Sequence, residues 1–318
     1  MKSANVTVAA QNRNSMKHIF IVNPISGRGG SKKYIPVIEE YCKENDLEFE
    51  IRFSEFPKHS MEIAAEYKKS DDVCLYAVGG DGTANEVLNG LNDGVQMAVL
   101  PAGSGNDFVF GTLVPDCKDV NQLIRDTISG VNMKVDYGLA NDFKFINILS
   151  LGYCSIVNYL GNFKYRHIRI IPTKLMYFYA AIVNIFKPTP VKVRYIIDDK
   201  EYNGVAIIFA ISNGCRYGGM FKAAPDANIT DGIFDVWRID FVKGFVILNL
   251  IPKYMDGSYR NLDITTSYKG SKITIYTEEK MRYQVDGEVR ETDEMHVEIQ
   301  KNALNLRVPL EVKERMEK

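Results

Sequence analysis

The sequence predicts an α/β N-terminal domain followed by a mainly antiparallel β-sandwich. Three features predict it. The first 130 residues alternate strand-like and helix-like runs, strand-like runs follow one another directly from about residue 131, and three glycine-rich segments each come straight after a strand of the first part. A chain of 318 residues suits two domains at roughly 100–200 residues each.

The elements of the first part follow in order. His18 to Val22 is a short apolar run stopped by Asn23-Pro24, as in a buried strand of a parallel sheet. Ser31 precedes a stretch with Tyr34, Val37, Ile38 and Tyr41 at helical spacing. Residues 49–53 alternate and form the second strand, and Met61, Ile63, Ala64, Ala65 and Tyr67 mark a second helix. Residues 73–78 make a third strand ended by Gly79-Gly80, 83–91 a third helix, and 96–100 a fourth strand ended by Pro101. This order implies an open α/β layer.

Later strand-like runs fall at 131–141, 144–150, 190–197, 203–211, 232–239, 261–267, 271–276, 281–286, 294–299 and 304–308. Pairs such as Asp198-Asp199, Asp231-Gly232 and Asp286-Gly287 separate or end them. The expected organisation is a disordered extension over 1–15, an α/β domain over 16–135 and a sandwich over 136–303. A helical insert interrupts the sandwich at 153–186, and a tail from about 304 to 318 returns to the first domain.

Composition excludes several function classes. A net charge of −1 gives no broad field for nucleic acid or an anionic membrane. The five cysteines include no CxxC pair and the four histidines no HxxxH pair, so neither a disulfide framework nor a zinc enzyme is indicated. Such cysteine usage fits a reducing cytosol. No run of 18 uncharged apolar residues suggests a transmembrane helix, and residues 1–15 lack the apolar centre of a signal peptide.

The three glycine-rich loops carry the chemistry. They are Asn23-Pro24-Ile25-Ser26-Gly27-Arg28-Gly29-Gly30, Gly79-Gly80-Asp81-Gly82-Thr83 running on to Ala84-Asn85-Glu86, and Pro101-Ala102-Gly103-Ser104-Gly105-Asn106-Asp107. Loops at the carboxyl ends of strands in an open α/β sheet line one crevice. Glycine lets the backbone approach an anion, and successive N–H groups at a helix start make a phosphate cradle. Arg28, Lys32 or Lys33 would add charge, and Asp81 is placed to hold Mg²⁺ or orient the reacting groups. Each loop alone also reads as a tight turn. Neither the P-loop GxxxxGK[ST] nor GxGxxG occurs at these positions, which argues against P-loop ATPases and Rossmann dehydrogenases.

With VNPISG (22–27), GGDGTANEVLNGL (79–91), LPAGSGNDF (100–108), APDANITDGIFDV (224–236) and VDGE (285–288), the chain resembles the bacterial soluble lipid kinases of the diacylglycerol kinase catalytic-domain superfamily, relatives of sphingosine and ceramide kinases. The motifs run from near Met16 almost to the end; GGDGT alone also fits NAD kinases. The resemblance implies an active site in a cleft between two domains, with ATP and Mg²⁺ as cofactors. ATP would lie across Asn23, Pro24, Ile25, Ser26, Gly27, Ser54, Gly79, Gly80, Asp81, Gly82, Thr83, Ala84, Asn85 and Ser104. Ser54 stands where relatives usually have threonine.

The resemblance further implies Glu288 as the proton acceptor, with Asp286 its neighbour or rival, and a structural Mg²⁺ at Asp231 with the backbone oxygens of Asn228 and Ile233. Read from residues alone, Asp286-Gly287-Glu288 is also an ordinary hairpin turn with a solvated glutamate, and Asp231-Gly232 a type I′ turn. The implied partners are a lipid substrate at a membrane surface and no nucleic acid, with homodimerisation open. The implied location is cytoplasmic, peripheral to the inner face of the membrane. Residues 163–186 mix Lys164, Arg166, His167, Arg169 and Lys174 with large apolar residues, which suits a bilayer surface or a helix packed on the sandwich. Phe108 and Phe110 suit an acyl channel or plain core. Diacylglycerol is the leading acceptor; sphingoid bases, other lipids, NAD phosphorylation and a non-catalytic nucleotide-binding role complete the alternatives.

Overall fold

The computed structural model describes residues 16–160, 179, 184–185 and 188–317, apart from the side chains of Cys154 and Asn158. The expectations for residues 1–15 and for the basic segment within 163–186 lie outside the described residues. The chain divides into two compact units: residues up to Val135 together with those from Asn302, and Asp136–Lys301.

In the first unit, β1 (Lys17–Val22), β2 (Phe49–Phe53), β3 (Val73–Gly79) and β4 (Gln96–Pro101) pair in parallel in the order β2-β1-β3-β4. Every residue of β3 is buried, as the continuous apolar run VCLYAVG requires of a strand covered on both faces. The helices are α1 (Ile35–Glu44), α2 (His59–Ala65), α3 (Asp81–Gly90) and α4 (Val120–Ile128). Pro36 sits in the first turn of α1, where its missing N–H is harmless, and Ile38 and Cys42 turn inward one helical turn apart. Asp119 caps α4, its Oδ1 accepting from the N–H groups of Asn121 at 2.9 Å and Gln122 at 3.2 Å. Phe20, Val22, Tyr76, Val78, Leu100 and Ile124 are among the buried residues of one core.

Two boundaries depart from expectation. The third helix starts at Asp81, so Asp81, Gly82 and Thr83 form its first turn instead of a loop. An irregular 3-10 stretch, Ser26–Tyr34, precedes α1; within it Gly27, Arg28 and Gly29 all have left-handed backbone angles. After β4 comes a short π-helical turn, Val109–Leu113.

The second unit is built from β5 (Val131–Ala140, entered from the first unit), β6 (Phe143–Phe145), β7 (Ile148–Gly152), β8 (Val191–Ile197), β9 (Lys200–Ser212), β10 (Phe234–Asp240), β11 (Thr265–Gly270), β12 (Lys272–Val285) and β13 (Glu288–Val308). The pairings of β7 to β13 within this unit are antiparallel. β9 pairs with β8 over residues 200–206 and with β7 over 208–212. β12 does the same, with β8 over 273–277 and β7 over 283–285. Two long strands shared in this way close the pairing on itself around Tyr195, Phe209, Phe234, Val285 and Met295. The last part of β13 crosses into the first unit and pairs in parallel with β4, Asn305 opposite Gln96 and Leu306 opposite Met97.

The runs at 271–276 and 281–286 are one strand, β12, with a register shift between Tyr276 and Met281. The charged stretch Glu278-Glu279-Lys280 mimics a turn, but a bulge carries it without ending the pairing. The runs at 294–299 and 304–308 likewise belong to β13. α5 (Tyr153–Tyr159) opens the expected helical insert, whereas α4 and α6 (Phe245–Asp256) have no counterpart in the sequence reading. Pro252 lies inside α6, where proline disfavours a helix. Burial of Ile247, Leu250, Ile251 and Tyr254 against the second core of this unit, which includes Ile208 and Tyr259, outweighs it. The chain ends in α7 (Leu310–Met316). Among the described residues, no helix is long and apolar enough to cross a membrane.

Candidate active site

The strand order β2-β1-β3-β4 reverses direction between β1 and β3. Loops leaving the carboxyl ends of those two strands run to opposite sides and open a crevice. The first loop leaves β1 at Asn23, whose N–H donates to the Val78 carbonyl at 3.1 Å. Its own carbonyl accepts from Ser31 Oγ at 2.7 Å and from the Ser26 N–H at 3.1 Å. Its Oδ1 accepts from the Ile25 N–H at 3.2 Å, and its Nδ2 donates to Thr83 Oγ1 at 3.1 Å. Asn23 therefore ties the first loop to the start of α3.

The third loop closes on the other two. The Ala102 N–H donates to the Gly79 carbonyl at 2.7 Å. A Cβ on Gly27 would collide with the Ala102 carbonyl oxygen, and one on Gly103 with Gly80 Cα. One on Gly80 would lie 3.2 Å from Gly103 Cα and 3.6 Å from Ser26 Oγ. Backbone meets backbone here, which only glycine permits. Ser54 is buried directly after β2, its N–H donating to the Val22 carbonyl at 2.9 Å, level with Asn23. Pro24 and Ser26 are half-buried, and Ile25, Gly82 and Ser104 are exposed. Thr83, Ala84 and Asn85 are buried on the inner side of α3. The predicted loop residues of the first unit thus gather at one edge. A concave glycine-lined backbone next to the N-terminus of a ten-residue helix fits a polyphosphate.

Asp81 stands at the first position of α3, and its Oδ1 accepts from the Phe108 N–H at 3.1 Å. Burial raises its carboxyl above the usual carboxylate range, while the N–H groups of Asp107 and Phe108 pull the other way. A Cβ on Gly105 would lie 3.1 Å from Asp81 Oδ2 and 3.4 Å from Asp107 Oδ2, so two carboxylates flank that glycine. The site reading of the sequence assigned no role to Asp107 or to Asn106. Asn106 has φ +53, accepts from the Gly103 N–H at 2.8 Å and donates to the Gly103 carbonyl at 3.0 Å, which fixes the loop. Their signal was adjacency to the glycines. Phe108 is core and Phe110 only half-buried.

In the second unit, Asp286 and Gly287 both have positive φ, +46° and +91°, between the paired Val285 and Glu288. This is the two-residue type I′ hairpin geometry. The Asp286 carboxylate accepts from the backbone N–H groups of Ile146 at 2.8 Å, Asn147 at 3.1 Å and Ile148 at 3.0 Å. Three donors on one carboxylate make Asp286 an anchor for the turn. Glu288 opens β13 and is exposed, leaving its carboxylate open to solvent.

The loop expected to hold a structural Mg²⁺ is closed by its own turns. Asp231 Oδ1 accepts from the Ile233 N–H at 3.0 Å, and Asn228 Oδ1 from Thr230 Oγ1 at 2.8 Å and the Thr230 N–H at 3.1 Å. Lys301 Nζ lies 3.4 Å from the Asp231 carbonyl oxygen. Among the described residues, no group of three or more His, Cys, Asp or Glu is arranged to hold a metal. Of the three residues expected there, only Asp231 supplies a carboxylate, and one of its oxygens is engaged by the Ile233 N–H. Beneath the loop lies Asp136, wholly buried in β5, its Oδ2 accepting from the Gly232 N–H at 2.7 Å. Sequence reading gave Asp136 no role, because its partner lies 96 residues away.

The profile of the diacylglycerol kinase catalytic domain matches residues 17–140, and that of the YegS C-terminal NAD kinase β-sandwich-like domain matches residues 147–308. The chain belongs to this family of diacylglycerol kinase-like lipid kinases. It is 27% identical over 274 residues to a diacylglycerol kinase of Bacillus subtilis, which covers 85% of this chain and 88% of that one. It is 28% identical over 302 residues to YtlR of the same organism, named provisionally as a lipid kinase, with 87% and 95% covered. A crystal structure of a diacylglycerol kinase from Bacillus anthracis superposes with a TM-score of 0.69 at 19% identity, covering 93% of this chain and 98% of that one. That structure shares the fold with both units.

Proposed function

We propose that the protein transfers the γ-phosphate of ATP to a hydroxyl group of a lipid, with diacylglycerol, yielding phosphatidic acid, as the leading acceptor. The observation that carries the nucleotide half of this reading is the three-loop contact of Gly27 with Ala102 and Gly80 with Gly103. Membership of the lipid kinase family supports the acceptor half.

The backbone N–H groups of the three loops and of the first turn of α3 hold the phosphates. Asp81 would hold a Mg²⁺ bound with the nucleotide, whose chemistry there would be charge neutralisation on the phosphates. Glu288 takes the proton of the lipid hydroxyl as its oxygen bonds to the γ-phosphorus. The bond from that phosphorus to the β-phosphate oxygen breaks, and ADP leaves. Asp286 holds the turn that carries Glu288 and is not itself the base. No step passes through the Asp231 loop.

The test is incubation with γ-³²P-ATP and Mg²⁺ over a panel of diacylglycerol, a sphingoid base, a polyprenol and NAD, repeated on Asp81→Ala and Glu288→Gln. Label in diacylglycerol, lost in both variants, is expected. Folded protein that labels no lipid, or labels NAD instead, overturns the reading.

A further inference from the structure

The first turn of α6 carries an apolar surface that the proposed reaction does not use. Phe245 is 79% exposed, Val246 49% and Leu248 40%, all within four consecutive residues. Ile247, Leu250, Ile251 and Tyr254 of the same helix are buried, so α6 has a core-facing side and a separate outward apolar tip. Val205, also exposed, adjoins the approach to this tip, because its carbonyl accepts from the Phe241 N–H at 2.9 Å.

The segment that carries the tip runs between Asp240, which pairs with Arg238, and Asp256. No acidic residue occurs from Phe241 to Met255, while Lys243 and Lys253 are both exposed. Lys243 Nζ lies 5.9 Å from the Phe241 ring centroid, directly before the helix. Further along α6 the outward side turns polar, with Asn249, Lys253 and Asp256 exposed. An apolar tip of three side chains falls well short of the roughly 800 Å² per partner that a stable protein interface buries. A short aromatic and aliphatic wedge with basic neighbours suits an anionic bilayer, where side chains enter the acyl boundary and ammonium groups meet headgroups.

We propose that the first turn of α6, with Phe245, Val246 and Leu248 flanked by Lys243, is a docking surface for an anionic lipid bilayer. The inference deepens the lipid-kinase reading, since it names the surface that brings the protein to its substrate. It is tested without turnover, so the two can fail separately.

The full chain is sedimented with phosphatidylcholine vesicles and with vesicles of phosphatidylcholine and phosphatidylglycerol, without ATP. Binding is expected to the second kind, weakening as salt rises. Phe245→Ser/Val246→Ser/Leu248→Ser should lower the partition by at least about tenfold, because only exposed apolar surface changes. Its circular dichroism and its phosphorylation of detergent-dispersed diacylglycerol should stay as in the parent. In Phe245→Trp, the emission added to that of Trp237 should shift to the blue with the anionic vesicles. Unchanged sedimentation of the triple variant and unshifted emission overturn the docking surface. A triple variant that binds vesicles as before but scatters light as a smaller oligomer also overturns it, in favour of self-association. Vesicle binding lost in the triple variant, with no lipid phosphorylated by the parent, supports the surface and counts only against the catalytic reading.

Discussion

Asp286 and Ile148 bond to each other twice: the Ile148 N–H donates to Asp286 Oδ1 at 3.0 Å, and the Asp286 N–H donates to the Ile148 carbonyl at 3.1 Å. The pair fastens the hairpin between β12 and β13 to the start of β7. It separates the two acids of Asp-Gly-Glu into an anchored one and an open one.

That separation predicts opposite phenotypes. Asp286→Ala removes the acceptor for three N–H groups and should lower stability by about 2–4 kcal/mol in urea unfolding, since bonds to a charged group contribute about 1.5–3 kcal/mol and leave donors unpaired when lost. Glu288→Gln touches an exposed side chain and should leave unfolding within about 0.5 kcal/mol of the parent. Its kcat should fall by about 100-fold or more. A Glu288→Gln protein with parental kcat would reassign the base.

Glycines at the loops should sort by geometry. Gly27→Ala forces a left-handed residue, at about 1–2 kcal/mol, and drives a methyl into Ala102. Both stability and nucleotide affinity should drop. At Gly82, within α3, a Cβ meets nothing within 4 Å. Gly82→Ala should gain stability by up to about 0.8 kcal/mol, while nucleotide affinity by calorimetry falls if phosphate occupies that open space.

Asp81 should act against stability at neutral pH. Its folded pKa is raised by burial, so the stability it contributes is present below the ordinary carboxylate pKa and is lost as pH rises through the folded value. Asp81→Asn keeps an acceptor for the Phe108 N–H and removes the charge. Its melting temperature at pH 7 should exceed that of the parent while lipid phosphorylation is lost. A lower melting temperature would show that the carboxylate stabilises the loop in its charged form.

His18 is buried in β1 with Nδ1 2.8 Å from Tyr76 Oη, and burial together with Arg307 pushes its pKa down to about 4. A depressed histidine contributes stability above its unfolded pKa of 6.5, lost as pH falls toward 4. The protein should lose up to about 3 kcal/mol over that window. His18→Gln should flatten this part of the profile, which urea titrations at pH 7, 5.5 and 4.5 would measure.

The returning end of the chain is integral to the first unit. Leu306 and Val308 are wholly buried, and Arg307 donates to the Ile128 carbonyl through Nε at 3.1 Å and Nη2 at 2.9 Å. Leu306→Ala should cost about 2–5 kcal/mol. Deletion of residues 302–318 should leave that unit without cooperative unfolding by circular dichroism.

Much of the candidate site was legible because a glycine-rich turn after a strand is a local pattern. Asn23, Gly27, Gly80, Asp81 and Thr83 were found from a loop after a strand and a run of glycines. Asp107 lay inside such a loop, but nothing in the sequence distinguishes a carboxylate beside Asp81 from one in solvent. Asp136 was harder still, since an acid within an alternating strand gains meaning only from the Gly232 N–H. α6 was missed because its helical period is hidden in a nearly continuous apolar run that contains Pro252.

By itself, the sequence determined the α/β unit, the antiparallel unit after it and the three glycine-rich loops, since strand periodicity and glycine conformation are set by neighbouring residues. Tertiary structure alone decided that Asp286 is tied down while Glu288 stays open, that two long strands each bridge β7 and β8, and that α6 shows an apolar tip to solvent. Those facts depend on partners distant along the chain or on which side of an element packing covers, and no local pattern records either.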